Sequence, residues 1–287
     1  MEYAVELKNV TKKFKEKIVF ENLNLNIEQD KIYALLGRNG VGKTTLMNII
    51  TTKYLPNEGE VNVLGEKAFE NENVLGEICF MKDKTEAVIG KKVKDIFKLG
   101  KIFYDNWDED FKEKLLKEFE INEKDRYENL SKGKQSAVAI IIGLASRCKV
   151  TMLDEIYTGL DAVVRKKFYK ILLEDYMENP RTFIISTHLI GEMSNIFSNV
   201  IIMGEKKLLV NEDIESLRKK VLEFTAGEEL EKILEGKNIL KSSQFGGQKK
   251  IIAFDDFTKE ELNRYKENNI SIKTLSLQDI FIALTEK

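Results

Sequence analysis

One segment of the sequence has the residue types and spacing needed to hold a polyphosphate. It reads G-x-x-x-x-G-K-T, and its residues are Gly37, Arg38, Asn39, Gly40, Val41, Gly42, Lys43 and Thr44. The glycines let the backbone point its N–H groups at phosphate oxygens, and the positive end of a following helix attracts the same anion. Lys43 is suited to the terminal phosphates and the Thr44 hydroxyl to Mg²⁺. A plain glycine turn that caps a helix is the alternative, and a phosphate loop alone leaves kinases, GTPases, motors and transporter ATPases open.

Two adjacent carboxylates, Asp154 and Glu155, follow the apolar run 150–153. They therefore lie at the carboxyl end of a buried strand, which is where α/β sheets bind ligands. We expect Asp154 to join the Mg²⁺ shell, directly or through water, and Glu155 to act as the general base for an attacking water. Solvated acids at a strand end, without a chemical role, are the alternative.

His188 is the one histidine of the chain and follows the apolar run 183–186. A lone histidine is more often a surface or satisfied core residue. Its position after another strand, beside the expected phosphates, favours a role in polarising the γ-phosphate and orienting water together with Glu155.

A third polar segment begins at Ser131 and precedes the apolar stretch 137–145. It predicts a serine-capped helix that is buried along most of its length. The same helix end, with the Ser131 hydroxyl and free N–H groups, is a second phosphate-binding surface. It lies beyond a helical insert from the phosphate loop, so it could serve a second copy of the protein.

The elements that must position these residues alternate between strands and helices, which indicates an α/β fold with a mainly parallel sheet. Residues 31–37 predict a strand and 44–50 a helix, and further apolar runs predict the strands 61–64, 78–81, 150–153, 183–186 and 200–203. Apolar residues at helical spacing from about 90 to 130 indicate a helical insert, whose aromatic stripe, including Trp107, we interpret as core. After about residue 215 we expect a small α/β appendage with a turn at Gly246 and Gly247.

Composition narrows the function classes. The chain has 287 residues, 43% of them hydrophobic, and 46 basic against 48 acidic residues leave a net charge of −2. This balance disfavours a nucleic-acid partner. The apolar runs fall short of the roughly 20 residues of a membrane span, and the start lacks a signal-peptide pattern. We expect Cys79 and Cys148 to be buried thiols.

Taken together and in this order, these motifs resemble an ABC transporter ATP-binding subunit over residues 1 to about 215. The resemblance implies a P-loop ATPase core with a helical subdomain at about 85–145 and an antiparallel β portion, followed by an accessory domain over 216–287. In these terms 37–45 is the Walker A loop, which adds Thr45 to the nucleotide contacts, and 150–155 is the Walker B strand. Ser131 and Gly133 belong to the signature sequence, Asp161 to the D-loop, and His188 is the switch histidine.

The resemblance also bears on four residues that spacing alone does not reach. Phe14 is similar to the aromatic residue that stacks on adenine. Asp83 stands where the family usually has a glutamine near Mg²⁺, and is implied as a metal ligand with a full negative charge. Ile156 replaces the usual proline after the catalytic glutamate, and Lys132 replaces the first glycine of the signature.

The family resemblance implies partners and a location. Two ATP-binding subunits, in a homodimer or a heterodimer, would enclose ATP and Mg²⁺ between one phosphate loop and the other's signature helix. A separate transmembrane permease would hold them at the cytoplasmic face of the cell membrane. The short Ser-Lys-Gly signature and the ending 275–285 are similar to bacterial exporters of the drug and antimicrobial-peptide, bacitracin-type branch.

Two other hypotheses stay open from the sequence. A soluble ABC ATPase could act on a cytosolic machine, although such proteins usually carry two cassettes or a long coiled coil, and this chain has one phosphate loop and no sustained heptads. A regulator that binds ATP without turnover is the other, and Glu155 and His188 argue against it.

Overall fold

The protein is described by a computed structural model that covers residues 2–82 and 90–286. Fourteen strands and eleven helices are assigned within this part of the chain. They are, in order, β1 (Tyr3–Phe14), β2 (Lys17–Glu28), β3 (Ile32–Gly37), α1 (Lys43–Ile50), β4 (Glu58–Val63), β5 (Glu66–Lys67), α2 (Glu72–Gly76), β6 (Ile78–Lys82), α3 (Val93–Phe103), α4 (Glu109–Glu118), α5 (Lys132–Ala145), β7 (Val150–Asp154), α6 (Ala162–Glu178), β8 (Thr182–Ser186), α7 (Ile190–Met193), β9 (Asn199–Met203), β10 (Leu208–Asp213), α8 (Ile214–Lys220), β11 (Val221–Ala226), α9 (Leu230–Ile233), β12 (Ile239–Phe245), β13 (Gln248–Phe254), α10 (Lys259–Glu267), β14 (Ser271–Thr274) and α11 (Leu277–Thr285).

A six-stranded sheet with the order β10-β9-β3-β8-β7-β6 forms the centre of the fold. The strands β9, β3, β8, β7 and β6 are parallel, and β10 pairs antiparallel with β9 at one edge. Strands β7, β8 and β9 are buried along their whole length, which explains why they read as continuous apolar runs. The strands that these runs predicted are confirmed. Their carboxyl ends meet at one edge, so the residues that follow β3, β7 and β8 come together.

A second, antiparallel sheet with the order β2-β1-β4-β5 covers one side of this centre. Strands β1 and β2 are 12 residues each and alternate buried with exposed side chains over much of their length. Their inward residues form one hydrophobic cluster with Leu35, Leu46 and Met47 of β3 and α1. The hairpin therefore packs directly against the strand and the helix that flank the phosphate loop.

From residue 90 on, the described part of the insert between β6 and β7 is mainly helical, as the apolar spacing predicted. Helices α3 and α4 pack beside α5, and Trp107 is half-buried against the same core, with its ring 6.4 Å from that of Phe97. The serine-capped helix is also confirmed, because the Ser131 hydroxyl accepts a hydrogen bond from the Lys134 N–H at 3.3 Å, at the start of α5.

The C-terminal residues form a third sheet, with the order β12-β13-β11-β14 and all pairs antiparallel. Gly246 and Gly247 both have positive φ angles, 58° and 77°, which are the values that a tight hairpin between β12 and β13 requires. The last helix, α11, does not stay with this sheet's own small core. Its Leu277 and Ile280 join the large core of the central sheet instead.

Within the described residues, no helix combines the length and the apolar character that crossing a membrane requires.

Candidate nucleotide site

The phosphate loop leaves the carboxyl end of β3 and enters α1, as the sequence predicted. Gly42 caps α1 with a φ of 112°, and a Cβ atom there would lie 2.7 Å from side-chain atoms of Val19 and Phe20. Gly40 also has a positive φ, 83°, but faces open space. Glycine is therefore required at position 42 by both conformation and contact, because the β2 side chains pack against the loop at that point.

An open groove of about 690 Å³ lies over the loop. We call it the phosphate groove. Nine of the residues predicted from the sequence or from the resemblance line it, together with Lys17, Val19 and Lys82; the nine are Phe14, Asn39, Gly40, Gly42, Lys43, Thr44, Thr45, Asp154 and Glu155. Residues from β1, from the phosphate loop and from the end of β7 thus meet in one cavity.

Lys43 is the cation at the floor of this groove. It is 8% exposed, and its Nζ donates a hydrogen bond to the Gly37 carbonyl at 2.7 Å. Burial lowers the pKa of the Lys43 ammonium, and the carboxylates of Glu155 and Asp154 partly offset that effect. An anion at the groove would favour the charged form further, because it would replace lost hydration.

Asp154 is held by two hydroxyl groups. Its Oδ2 accepts a hydrogen bond from Thr44 Oγ1 at 2.6 Å and its Oδ1 accepts one from Ser186 Oγ at 2.6 Å. The pairing of β7 with β8 sets Asp154 beside Ser186 in register. A hydroxyl and a carboxylate oxygen side by side at the foot of a phosphate loop are the hard donors that Mg²⁺ prefers.

Glu155 follows Asp154 in a left-handed backbone conformation, with φ at 53°. This region is uncommon for a residue with a side chain, and such outliers cluster at functional sites. The Glu155 carboxylate is 35% exposed, and its Oε1 lies 3.8 Å from Nδ1 of His188, whose side chain is 56% exposed. The two groups are neighbours, although the separation exceeds that of a hydrogen bond.

The residues predicted for the second phosphate surface lie elsewhere. Ser131 and Gly133 are at the start of α5, and Asp161 caps α6 by accepting hydrogen bonds from the N–H groups of Val163 and Val164 at 2.9 and 3.0 Å. The start of α5 lies against the loop that precedes α6, because a Cβ on Gly133 would lie 3.1 Å from the Gly159 carbonyl oxygen. None of the three is among the described residues that line the phosphate groove.

The remaining predicted residues are placed as follows. Gly37 ends β3, and the exposed Arg38 forms the outer turn of the loop, with its carbonyl accepting from the Val41 N–H at 3.3 Å. Asp83, the implied metal ligand, lies outside the described residues. Among the residues that are described, no cluster of three or more His, Cys, Asp or Glu side chains has the arrangement of a metal site.

Sequence reasoning missed Ser186, Lys17 and Lys82. Like Asp154, Ser186 is a polar residue at the carboxyl end of an apolar strand. It was interpreted as the last residue of that strand, and the site role was given to His188, which follows two positions later. Lys17 and Lys82 had no local signal, because only the folded hairpin and the position of β6 bring them to the groove.

The sequence is similar to known ABC transporter proteins. Residues 20–158 match the family model described as ABC transporter. The bacitracin transport ATP-binding protein BcrA of Enterococcus faecalis is 28% identical over an alignment of 313 positions, gaps included, which covers 99% of this chain and 97% of that protein. The ABC transporter ATP-binding protein YtrB of Bacillus subtilis (strain 168) is 23% identical over 220 residues, covering 77% of this chain and 75% of that protein.

Solved structures of known proteins share the fold of this chain. One described as an ATP-binding subunit of an ABC transporter superposes with a TM-score of 0.68 at 19% identity, covering 75% of this chain and 92% of that chain. At this identity the likeness concerns the fold alone, and it confirms the predicted P-loop α/β class.

Proposed function

We propose a function from one premise, which is that the chain belongs to the ABC transporter family. It is an ATP-binding subunit and an ATPase of that family, and the family prediction made from the motifs is confirmed. On this premise we propose that it powers export of a drug, peptide or similar compound through a separate membrane subunit. The observation that carries the proposal is the phosphate groove, in which the phosphate loop, Asp154 and Glu155 converge.

The groove supports a definite orientation for ATP. Lys43 and the N–H groups at the start of α1 would contact the phosphates. Phe14, which lines the same groove and is 40% exposed, would stack on the adenine ring. Arg38 and Val41 would contribute only through the shape and the backbone of the loop, because their side chains do not line the groove as described.

The oxygen donors fit Mg²⁺. Thr44 and Asp154 would hold the ion, with Asp83 implied as a further ligand, and the bound ion would neutralise phosphate charge. The hydroxyl–carboxylate pair at 2.6 Å supplies hard ligands, and an ion of this type usually completes its shell with water and phosphate oxygens.

Glu155 and His188 supply the remaining chemistry. Glu155 would accept a proton from the water that attacks the terminal phosphate, since its carboxylate faces the groove at the end of β7. His188, 3.8 Å from Glu155, would orient that water and contact the terminal phosphate.

Ser186→Ala tests whether the second hydroxyl on Asp154 supports this chemistry. A hydrogen bond to a charged group is worth about 1.5–3 kcal/mol, so we expect a loss of about tenfold in the ATPase rate at limiting Mg²⁺, with a smaller loss at saturating Mg²⁺. The measurement is phosphate release against Mg²⁺ concentration. Ser198→Ala is the control, because the Ser198 hydroxyl hydrogen-bonds the Ile32 main chain at the opposite end of the sheet. An unchanged Mg²⁺ dependence for Ser186→Ala would contradict this role.

The second phosphate surface supports a dimer. Ser131 is exposed at the tip of α5 and lies apart from the phosphate groove of its own chain. Ser131, Gly133 and Asp161 would therefore contact the nucleotide or the phosphate loop of a second ATP-binding subunit. Closure on ATP and opening after hydrolysis would be a shift between two populated states.

Glu155→Gln tests the dimer directly. The variant keeps the shape and the ligands of the groove but lacks the proton acceptor, so we expect ATP with Mg²⁺ to convert it from a monomer of 33.1 kDa to a stable homodimer in size-exclusion chromatography. The added variant Ser131→Arg should prevent this, because a large side chain would obstruct the tip of α5. A Glu155→Gln protein that binds ATP and stays monomeric would count against a homodimer.

Transport requires a membrane partner. BcrA is named as a transport protein and matches this chain over 99% of its length, including the C-terminal sheet. We place this chain at the cytoplasmic face of the membrane, bound to a permease through the apolar groove between β6, α3 and α5, which is lined by Met81, Leu99, Phe103 and Ile142 among others. Phe103 is 68% exposed there, which fits an apolar partner surface.

Affinity purification from membranes tests this assignment. We expect a multispanning membrane protein to copurify with the wild-type chain and to be lost with Phe103→Asp. Export is then measured as reduced accumulation of the transported compound. Recovery of only cytosolic proteins would favour a soluble ATPase instead.

A further inference from the structure

The Phe14 ring does not stand alone at the edge of the phosphate groove. The Tyr54 ring packs against it with the centroids 5.3 Å apart and the planes at 79°, an edge-to-face pair. The ammonium of Lys12 lies 4.8 Å from the centroid of the Phe14 ring and 5.8 Å from that of the Tyr54 ring. We call these three residues the aromatic cluster.

The cluster joins two elements that are distant in sequence. Phe14 and Lys12 belong to β1, whereas Tyr54 lies in the segment 51–57 that follows α1. Lys12 Nζ donates to the Leu55 carbonyl at 2.6 Å, and the Tyr54 N–H donates to the Asn48 carbonyl of α1 at 2.9 Å.

Asn57 fastens the same segment to the end of β1. Its N–H donates to the Thr11 carbonyl at 2.8 Å, and its side-chain oxygen accepts from the Lys13 N–H at 2.7 Å. The Phe14 ring is therefore tied to the helix that begins at the phosphate loop. This connection fixes the spacing between the ring and the phosphate-binding N–H groups.

Lys12 and Tyr54 approach Phe14 from outside the groove. Phe14 lines the groove, while Lys12 and Tyr54 are not among its described lining residues. A cation near an aromatic ring is attracted by the negative potential of the ring face and partly neutralises it. A perpendicular neighbouring ring restricts rotation of the first ring. The remaining face of Phe14 is thus less negative than that of an isolated phenyl ring and is held in one orientation, both of which favour stacking with an electron-rich purine.

We propose that Tyr54 and Lys12 are positioning residues that set the Phe14 ring for a purine base. The inference rests on the proposed function, because it assumes that ATP occupies the phosphate groove. Under this proposal the two residues affect the affinity for the base and do not affect binding of the phosphates.

Two ligands separate these effects. A nonhydrolysable ATP analogue carries the base, whereas inorganic tripolyphosphate carries only the phosphates, and both are titrated by calorimetry into the full chain with Mg²⁺. From the usual strength of an aromatic pair we expect Tyr54→Ala to weaken binding of the analogue about 3–10-fold, and from that of an exposed cation–π contact we expect Lys12→Met to weaken it about 2–5-fold. Binding of tripolyphosphate should stay within about twofold of wild type, because no contact to phosphate is lost.

Conservative and combined variants sharpen the test. Tyr54→Phe keeps the ring and Lys12→Arg keeps the charge, so both should bind the analogue like wild type. In a Phe14→Ala background, Tyr54→Ala should have no further effect, because its action passes through the ring. Phe69→Ala is the matched control, because it removes a 53% exposed ring that is not among the described residues lining the groove. It should leave the affinity for both ligands unchanged.

The outcomes distinguish this inference from the proposed function. If Phe14→Ala weakens binding of the analogue but Tyr54→Ala and Lys12→Met do not, the positioning role is overturned and the ATP site stands. If Tyr54→Ala weakens binding of tripolyphosphate as much as binding of the analogue, Tyr54 supports the phosphate loop and not recognition of the base. That result also overturns the inference. If wild-type protein binds neither ligand, the proposed function itself fails.

Discussion

Glu155→Gln is expected to lower the ATPase rate about 10²–10⁴-fold, which is the usual contribution of a positioned general base. Glutamine has almost the same shape as glutamate but cannot accept the proton of the attacking water. ATP affinity should not fall, because the phosphate contacts assigned to Lys43 and to the start of α1 are unchanged, and coupling to dimer formation would only raise the apparent affinity. The rate is measured as phosphate release at saturating ATP and Mg²⁺, and affinity by calorimetry.

The control for this variant is Glu174→Gln. Glu174 lies on α6 with its side chain 57% exposed and pairs with Lys170 of the same helix, so its charge should not affect turnover. Equal rates for wild type and Glu155→Gln would remove Glu155 from the mechanism, and if both rates were negligible the result would favour a regulator that binds ATP without turnover. A fall in ATP affinity equal to the fall in rate would instead indicate that Glu155 holds the ligand.

The elements around the nucleotide site could be predicted because each carries a local signal. Apolar runs marked β3, β7 and β8, and the polar residue after each run marked the edge where ligands bind. The 12-residue strands β1 and β2 were not among the strands found from apolar runs, because exposed polar residues interrupt their buried apolar ones. Only the family resemblance supplied an antiparallel portion.

The contacts within the site could not be predicted, because they depend on the order of strands across the sheet. Strand β8 separates β3 from β7, and this order brings Ser186 to Asp154 from 32 residues away in the chain. The left-handed conformation of Glu155 likewise has no signal in its own sequence. In the same way, the ending 275–285 was noted only for its likeness to exporter ATPases, and nothing in it indicated that Leu277 packs into the large core.

The second large effect is expected for Lys43→Met, which should weaken ATP binding about 10²-fold or more. The Lys43 ammonium is the buried cation nearest the expected phosphates, and a hydrogen bond to a charged group is worth about 1.5–3 kcal/mol. Methionine removes the cation and leaves the carboxylates of Asp154 and Glu155 uncompensated beside a polyanion. Binding is measured by calorimetry without turnover, using a nonhydrolysable analogue.

Unfolding would not explain such a loss. Burial disfavours the charged form of Lys43, so its removal relieves a desolvation cost, while loss of the attraction to Glu155 and Asp154 opposes that gain. Because the two effects oppose each other, the melting temperature of Lys43→Met should stay close to that of wild type. Lys17→Met is the matched control, because Lys17 lines the same groove from an exposed position and should weaken binding less than about threefold. If both lysines contribute equally, the groove attracts phosphate by its overall charge and not through a phosphate loop with Lys43 at its floor.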